Sequence, residues 1–181
     1  MKLLEKKIKD LLASGIRPEL DDFLSRRIEP ELVASIAEEI AESFSGEDVS
    51  LVLTAEPAGI AIAYAVAARL GCEAVFARRR QSEGAFAATV NSKSNTSLFL
   101  PRRYLQKNDR VLVVDDCIGM GGIALALIEL VRQSGADLAG VGVAVERAYL
   151  GAGKKLTEQG IPFHAVVSIV SDDGKCGITV E

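Results

Sequence analysis

The sequence predicts an α/β fold, a mostly parallel twisted sheet with helices on both faces, and two observations carry that expectation. From residue 46 onward, short apolar runs alternate with stretches of helical spacing, the pattern of successive strand and crossover-helix units. One junction, VLVVDDCIGMGGIALAL over 111–127, passes from strand to helix through a glycine-rich turn. The length of 181 residues suits one domain, and 49% hydrophobic with 25% charged residues separates the chain from disordered sequences. No internal repeat or linker-like stretch interrupts it, so residues 1–181 are expected to form a single domain.

Each element has its own signal. Leu3, Leu4, Ile8, Leu11 and Leu12 fall at helical spacing over 2–14, and Ser14-Gly15 supplies a stop. The stretch 15–30 mixes Leu20, Phe23, Leu24 and Ile28 with charges and reads as an irregular flap. Pro30 opens a second amphipathic helix over 30–45, with Leu32, Val33, Ile36, Ile40 and Phe44 on one face. SLVLTA (50–55) is a buried strand, AGIAIAYAVAARLG (58–71) a small-residue helix ended by Gly71, and AVFAR (74–78) the next strand. Residues 79–109 read as a long loop carrying one hairpin strand, SLFLP (97–101). RVLVVDD (110–116) is a strand, IALALIELVRQSG (123–135) a helix, and strands over 138–146, 162–170 and 176–181 finish the sheet.

Composition closes several function classes. The cysteines, Cys72, Cys117 and Cys176, are scattered without a C-x-x-C pair, so neither a disulfide framework nor a zinc site is expected. A single histidine, His164, excludes His-pair metal chemistry. Trp is absent, aromatics are 5% and the net charge is −4, which disfavours nucleic acid as a partner. No apolar run is long enough to cross a bilayer and the N-terminus lacks a signal-peptide pattern, so no membrane association and a cytoplasmic location are expected. Any anion must be caught locally.

The junction at 111–127 is the place for that. A strand ending in a glycine loop at a helix N-terminus aims backbone N–H groups and the positive end of the helix dipole at one point, which suits a phosphate. Asp115 and Asp116 close the strand ahead of Gly119, Gly121 and Gly122, at the sheet end where open α/β folds bind ligands. Acids beside a phosphate cradle make sense if they accept hydrogen bonds from sugar hydroxyls or hold a cation that the anion shares. A Walker loop needs Lys and Ser/Thr after its last glycine, and a dinucleotide fingerprint places its acid about 20 residues after the glycines. Neither fits. A phosphoribosyl pocket remains, with the 5′-phosphate on the amides of 119–123 (Gly119, Met120, Gly121, Gly122, Ile123) and the ribose diol on Asp115 and Asp116.

VLVVDDCIGMGG resembles the 5-phosphoribosyl-1-pyrophosphate (PRPP) loop of type I phosphoribosyltransferases, and the chain is most similar to the xanthine-type branch and its adenine relatives. DDFLSRRIEP (21–30), TAEPAGIA (54–61), VFARRRQS (75–82), VAVERAY (143–149) and SDDGKCGITVE (171–181) fall where xanthine-type enzymes carry similar segments. The resemblance implies the type I phosphoribosyltransferase fold, with residues 1–30 as N-terminal helix and hood flap and 46–181 as α/β core. It also implies transfer of the 5-phosphoribosyl group of PRPP to a purine base, xanthine or a related 6-oxopurine, with release of pyrophosphate. Asp115 and Asp116 then flank the reacting ribose, Mg2+ travels mainly on PRPP with no direct protein ligand, and the enzyme is a cytoplasmic homodimer of purine salvage. Two alternatives stand beside this: an adenine-type enzyme, and a weakly catalytic regulatory protein of the same fold that binds PRPP or a nucleotide.

The resemblance also assigns residues. Thr54–Ile60 is similar to the pyrophosphate loop, with Glu56, Pro57 and Ala58 at its centre. Glu56-Pro57 sits where the family often has an unusual backbone bond, and X-Pro is the one place where the cis form costs little, so a cis bond is expected; the alternative is a proline opening the next helix. Within Arg78-Arg79-Arg80, Arg79 replaces a lysine usual in the family and keeps its charge. Residues 82–97 resemble a mobile cover in which Lys93 contacts pyrophosphate. For the base, Arg147 stands where xanthine-type enzymes have a lysine, Ser25 where they have an asparagine, and Pro18 near another base contact. Phe23 and Tyr149 are candidates for stacking on the base. Met120 and Ile123 stand where many members carry hydroxyls, which leaves the phosphate grip to amides. Cys117 reads as a small buried thiol and His164 as a structural residue.

Overall fold

The computed structural model describes residues 3–13, 24, 26–91, 96–172 and 175–179. Helices α1 (Leu3–Ala13) and α2 (Pro30–Ser43) precede strand β1 (Leu51–Ala55), helix α3 (Ile60–Leu70) and strand β2 (Glu73–Ala77). Strands β3 (Ala85–Asn91) and β4 (Thr96–Pro101) form an antiparallel hairpin. Then follow β5 (Arg110–Ile118), α4 (Gly122–Ser134), β6 (Asp137–Arg147), α5 (Ala152–Glu158), β7 (Phe163–Asp172) and β8 (Lys175–Thr179).

The main sheet runs in the order β2-β1-β5-β6-β7-β8. All its neighbours are parallel except β7 and β8. Its central strand explains the run of apolar residues in the sequence. Val111 and Val113 pack on one face with α4 and the hairpin, while Leu112 and Val114 pack on the other with α2 and α3. A strand buried on both faces has no polar positions to alternate with. The expected helices on both faces are therefore present.

Three stretches differ from the sequence reading. Residues 79–109 hold two strands rather than one: Phe86 and Ala88 are buried while Ala87 and Thr89 pair outward-facing positions across the hairpin. The hairpin joins the sheet edge through one bridge, Arg78 to Phe99. Helix α5 has no counterpart in the sequence reading, because Leu156 is the only large buried side chain in its seven residues. Strand β5 also runs through the acid pair to Ile118 instead of stopping at residue 116. Among the described residues, no helix is long and apolar enough to cross a membrane.

The topology fixes where a ligand binds. From β1 the chain leaves through α3 toward β2, and from β5 it leaves through α4 toward β6, on the opposite face and in the opposite direction. Strands β1 and β5 are neighbours, so their carboxyl ends form the switch-point crevice of an open α/β sheet. Their pairing stops at Leu53 opposite Val113, and beyond it the strands part.

Candidate active site

The loop after β1 (residues 56–59) and the loop after β5 (residues 119–121) leave these strand ends, and Pro57 and Ala58 line a groove with Leu24, Ile28 and Val33 beside α2 and α3. Asp115, Gly119, Met120, Gly121, Gly122 and Ile123 line one cleft of about 550 Å³, which brings the glycine loop and the first acid together. Gly121 has φ 83°, a left-handed conformation that a side chain would strain. The α4 ladder starts with the Leu125 N–H donating to the Gly121 carbonyl at 2.9 Å, and among the described residues no side chain caps the helix. The N–H groups of residues 122–124 thus precede the ladder, and the dipole adds to their pull on an anion. The hairpin covers this end closely: a Cβ on Gly122 would lie 3.0 Å from the Val90 carbonyl oxygen. Met120 stands out into solvent at 79% exposure.

Both acids are buried, at 6% and 7% exposure. The Asp116 N–H donates to Asp115 Oδ1 at 3.0 Å. Burial pushes the Asp115 carboxyl well above the usual carboxylate range, and the charge and side-chain hydrogen bond of Asp116 push it further. The protonated form of Asp115 is thus favoured relative to a free carboxyl.

The loop after β1 carries a cis Glu56-Pro57 bond, as expected, and α3 begins at Ile60 rather than at the proline. The Glu56 carboxylate accepts from the Arg79 N–H at 3.2 Å and lies 3.5 Å from Arg78 Nε. Gly59 brings the two loops together: a Cβ there would fall 2.1 Å from Thr54 Oγ1 and 2.7 Å from Asp115 Oδ1. Neither Thr54 nor Gly59 was singled out from the sequence, because their nearness to Asp115 exists only in the folded chain.

The arginines divide. Arg78 lies over the Phe76 ring at 5.0 Å and, with Arg80 and Arg103, lines a separate cleft between β2 and β4, whereas Arg79 does not line it. Arg147 ends β6, opposite Ile169 of β7. The preceding residue, Glu146, is buried and accepts from Ser168 Oγ at 2.8 Å, which holds the ends of β6 and β7 together below the exposed Tyr149. Cys117 is half-buried against the apolar cluster on the α2–α3 face, and His164 lies on β7 opposite Gly142. Pro18, Phe23, Ser25 and Lys93 lie outside the described residues. Among the described residues, no group of His, Cys, Asp and Glu side chains is placed to cage a metal ion.

Residues 21–158 match the phosphoribosyl transferase domain family, a span that contains both loops of the crevice. The chain belongs to the phosphoribosyltransferases. It is 38% identical over 182 residues to the xanthine phosphoribosyltransferase of Bacillus mycoides, covering 96% of this chain and 92% of the relative. The xanthine phosphoribosyltransferase of Bacillus cereus strain G9842 is 37% identical with the same coverage. Among solved structures, adenine phosphoribosyltransferase from Rhodothermus marinus superposes with a TM-score of 0.70 at 26% identity, over 77% of this chain and 81% of that one. The Giardia lamblia enzyme complexed with 9-deazaadenine gives 0.71 at 22% identity, over 84% and 86%, which speaks for the shared fold. Membership of the phosphoribosyltransferases implies that the chain uses PRPP.

Proposed function

We propose that this phosphoribosyltransferase transfers the 5-phosphoribosyl group of PRPP to a 6-oxopurine, with xanthine as the preferred base. The observation that carries the reading is the junction of Asp115 with both crevice loops: it lines the glycine-loop cleft and touches the space beside Gly59. In the reaction the bond from ribose C1 to pyrophosphate oxygen breaks and a bond from C1 to a purine ring nitrogen forms, with loss of that nitrogen's proton. Positive charge grows at the ribose ring as pyrophosphate leaves, so catalysis rests on positioning and charge placement. The amides of 119–123 hold the 5′-phosphate, and Asp115 and Asp116 accept the ribose hydroxyls. Glu56, Pro57, Ala58 and Arg79 border the pyrophosphate, with Lys93 reaching it from the cover. Arg147, Ser25 and Pro18 border the base.

Mg2+, if bound, would be held mainly by the diphosphate of PRPP and would supply positive charge to the leaving pyrophosphate, beside Glu56 and Arg79. The base preference rests on the xanthine-specific relatives and on Arg147, whose fork donates to a ring carbonyl. The reading also carries one domain over residues 1–181, a homodimer and a cytoplasmic location. Pyrophosphate release, measured with PRPP, Mg2+ and a panel of xanthine, guanine, hypoxanthine and adenine, tests it: xanthine gives the highest kcat/KM. Asp116→Asn abolishes turnover, and Arg147→Ala mainly raises the KM for the base. Saturable PRPP binding without turnover on any base would instead identify a regulatory protein.

A further inference from the structure

Among the described residues, Thr54 is 1% exposed and its hydroxyl has no hydrogen-bond partner. A buried hydroxyl left without a partner is rare and destabilising, so it needs a reason. Its surroundings give one. Thr54 is the first β1 residue beyond the last β1–β5 pair, at the point where the two strands part, and it still pairs with Phe76 of β2 on the other side. Thr54 Oγ1 and Asp115 Oδ1 both lie within 2.7 Å of one point, the place that a side chain on Gly59 would occupy. Two buried polar atoms thus border the same small space, one a donor without an acceptor and the other an acceptor. The Asp115 Oδ1 that borders it is at present engaged by the Asp116 N–H.

We infer that Thr54 is a positioning residue: when the ribose of PRPP is bound, its hydroxyl donates a hydrogen bond to the Asp115 carboxylate and fixes it against the sugar. The free protein carries the unmet hydroxyl as a local instability, and the bound state removes it. A rotation about the Thr54 Cα–Cβ bond, or a small shift of the Asp115 carboxylate, closes the gap without moving the sheet. The absent side chain of Gly59 keeps the space open. The device links the pyrophosphate loop to the ribose acid, since Gly59 lies between them and opens α3.

The inference rests on PRPP as ligand, and its test separates the two. Thr54→Val removes the hydroxyl at nearly constant shape, and Thr54→Ser keeps it. Binding of PRPP with Mg2+ is measured by calorimetry without base, alongside thermal unfolding of the free proteins. Thr54→Val raises the Tm of the free protein by about 2–4 °C, because an unmet buried hydroxyl is gone. The same variant binds PRPP roughly tenfold more weakly, because a hydrogen bond to a charged group is lost. Thr54→Ser binds PRPP as the wild type does. A merely structural threonine would lower Tm and leave affinity unchanged, and that result overturns the inference, as does equal PRPP affinity in all three proteins. If the wild type binds no PRPP, the functional reading itself fails.

Discussion

The two loops that face each other across the β1–β5 crevice are built on opposite principles. The loop after β5 is open: Gly121 takes a left-handed turn, Met120 stands in solvent, and the first N–H groups of α4 are uncapped. The loop after β1 is closed: Glu56 is tied to Arg78 and Arg79, and Gly59 fits against Thr54 and Asp115 with no room for a methyl group. The open loop offers unused donors to a phosphate, while the closed loop holds a carboxylate in a place where water would otherwise stabilise its charge. A ligand that joins them satisfies both, which is why the chemistry needs the pair.

Gly59→Ala attacks the closed loop and carries the larger expected effect of the two loop changes. At φ −68° alanine is acceptable to the backbone, and on backbone grounds alone the change would stabilise. The clash is with Thr54 and Asp115, so both must move. Turnover is expected to fall by about 100-fold or more, since misplacement near 1 Å at reacting groups costs that much. Steady-state kinetics with PRPP and xanthine check it; a near-normal rate would mean that the closed loop tolerates displacement and the comparison fails.

Gly121→Ala attacks the open loop and tests the other half of the contrast. Its φ of 83° makes any side chain cost about 1 kcal/mol of strain, and a Cβ would also press on Ala152 at 3.1 Å. The expected result is a KM for PRPP raised roughly tenfold with kcat reduced less, because the amides are displaced from the phosphate and the ribose acid is not. A kcat loss as large as that of Gly59→Ala would erase the distinction between the loops.

How far the sequence foretold these loops follows from what each one depends on. VVDDCIGMGG is contiguous, and its strand, acids and glycines announce their roles in order. The resemblance placed a pyrophosphate loop at Thr54–Ile60, but the meeting of Gly59 with Asp115, residues far apart in the chain, leaves no local pattern. The hairpin strand Ala85–Asn91 was obscured because alanine at three of its positions weakens the contrast between buried Phe86 and exposed Ala87. Helix α5 is short and carries a single large apolar anchor, too little for a periodic signal. Of the proposed base contacts, Arg147 came from the family resemblance, and the structure places it at the end of β6.

The smallest effect concerns the price of holding Asp115 in its pocket. Its carboxyl is raised by burial and by Asp116, so between the usual carboxylate range and the raised value the native chain binds a proton that the unfolded chain has released. Stability from this group is fully present below the ordinary carboxylate pKa and is lost as pH rises through the raised one. The free protein should therefore unfold more easily as pH climbs across that window, while Asp115→Asn, which cannot ionise, removes this part of the slope. Urea unfolding at a series of pH values measures both curves. Parallel slopes would mean that the carboxyl is ionised in the free protein and that the closed loop stabilises its charge without a ligand. The difference expected instead, with PRPP flattening the wild-type slope, follows if the ribose hydroxyls supply the donors that the closed loop withholds.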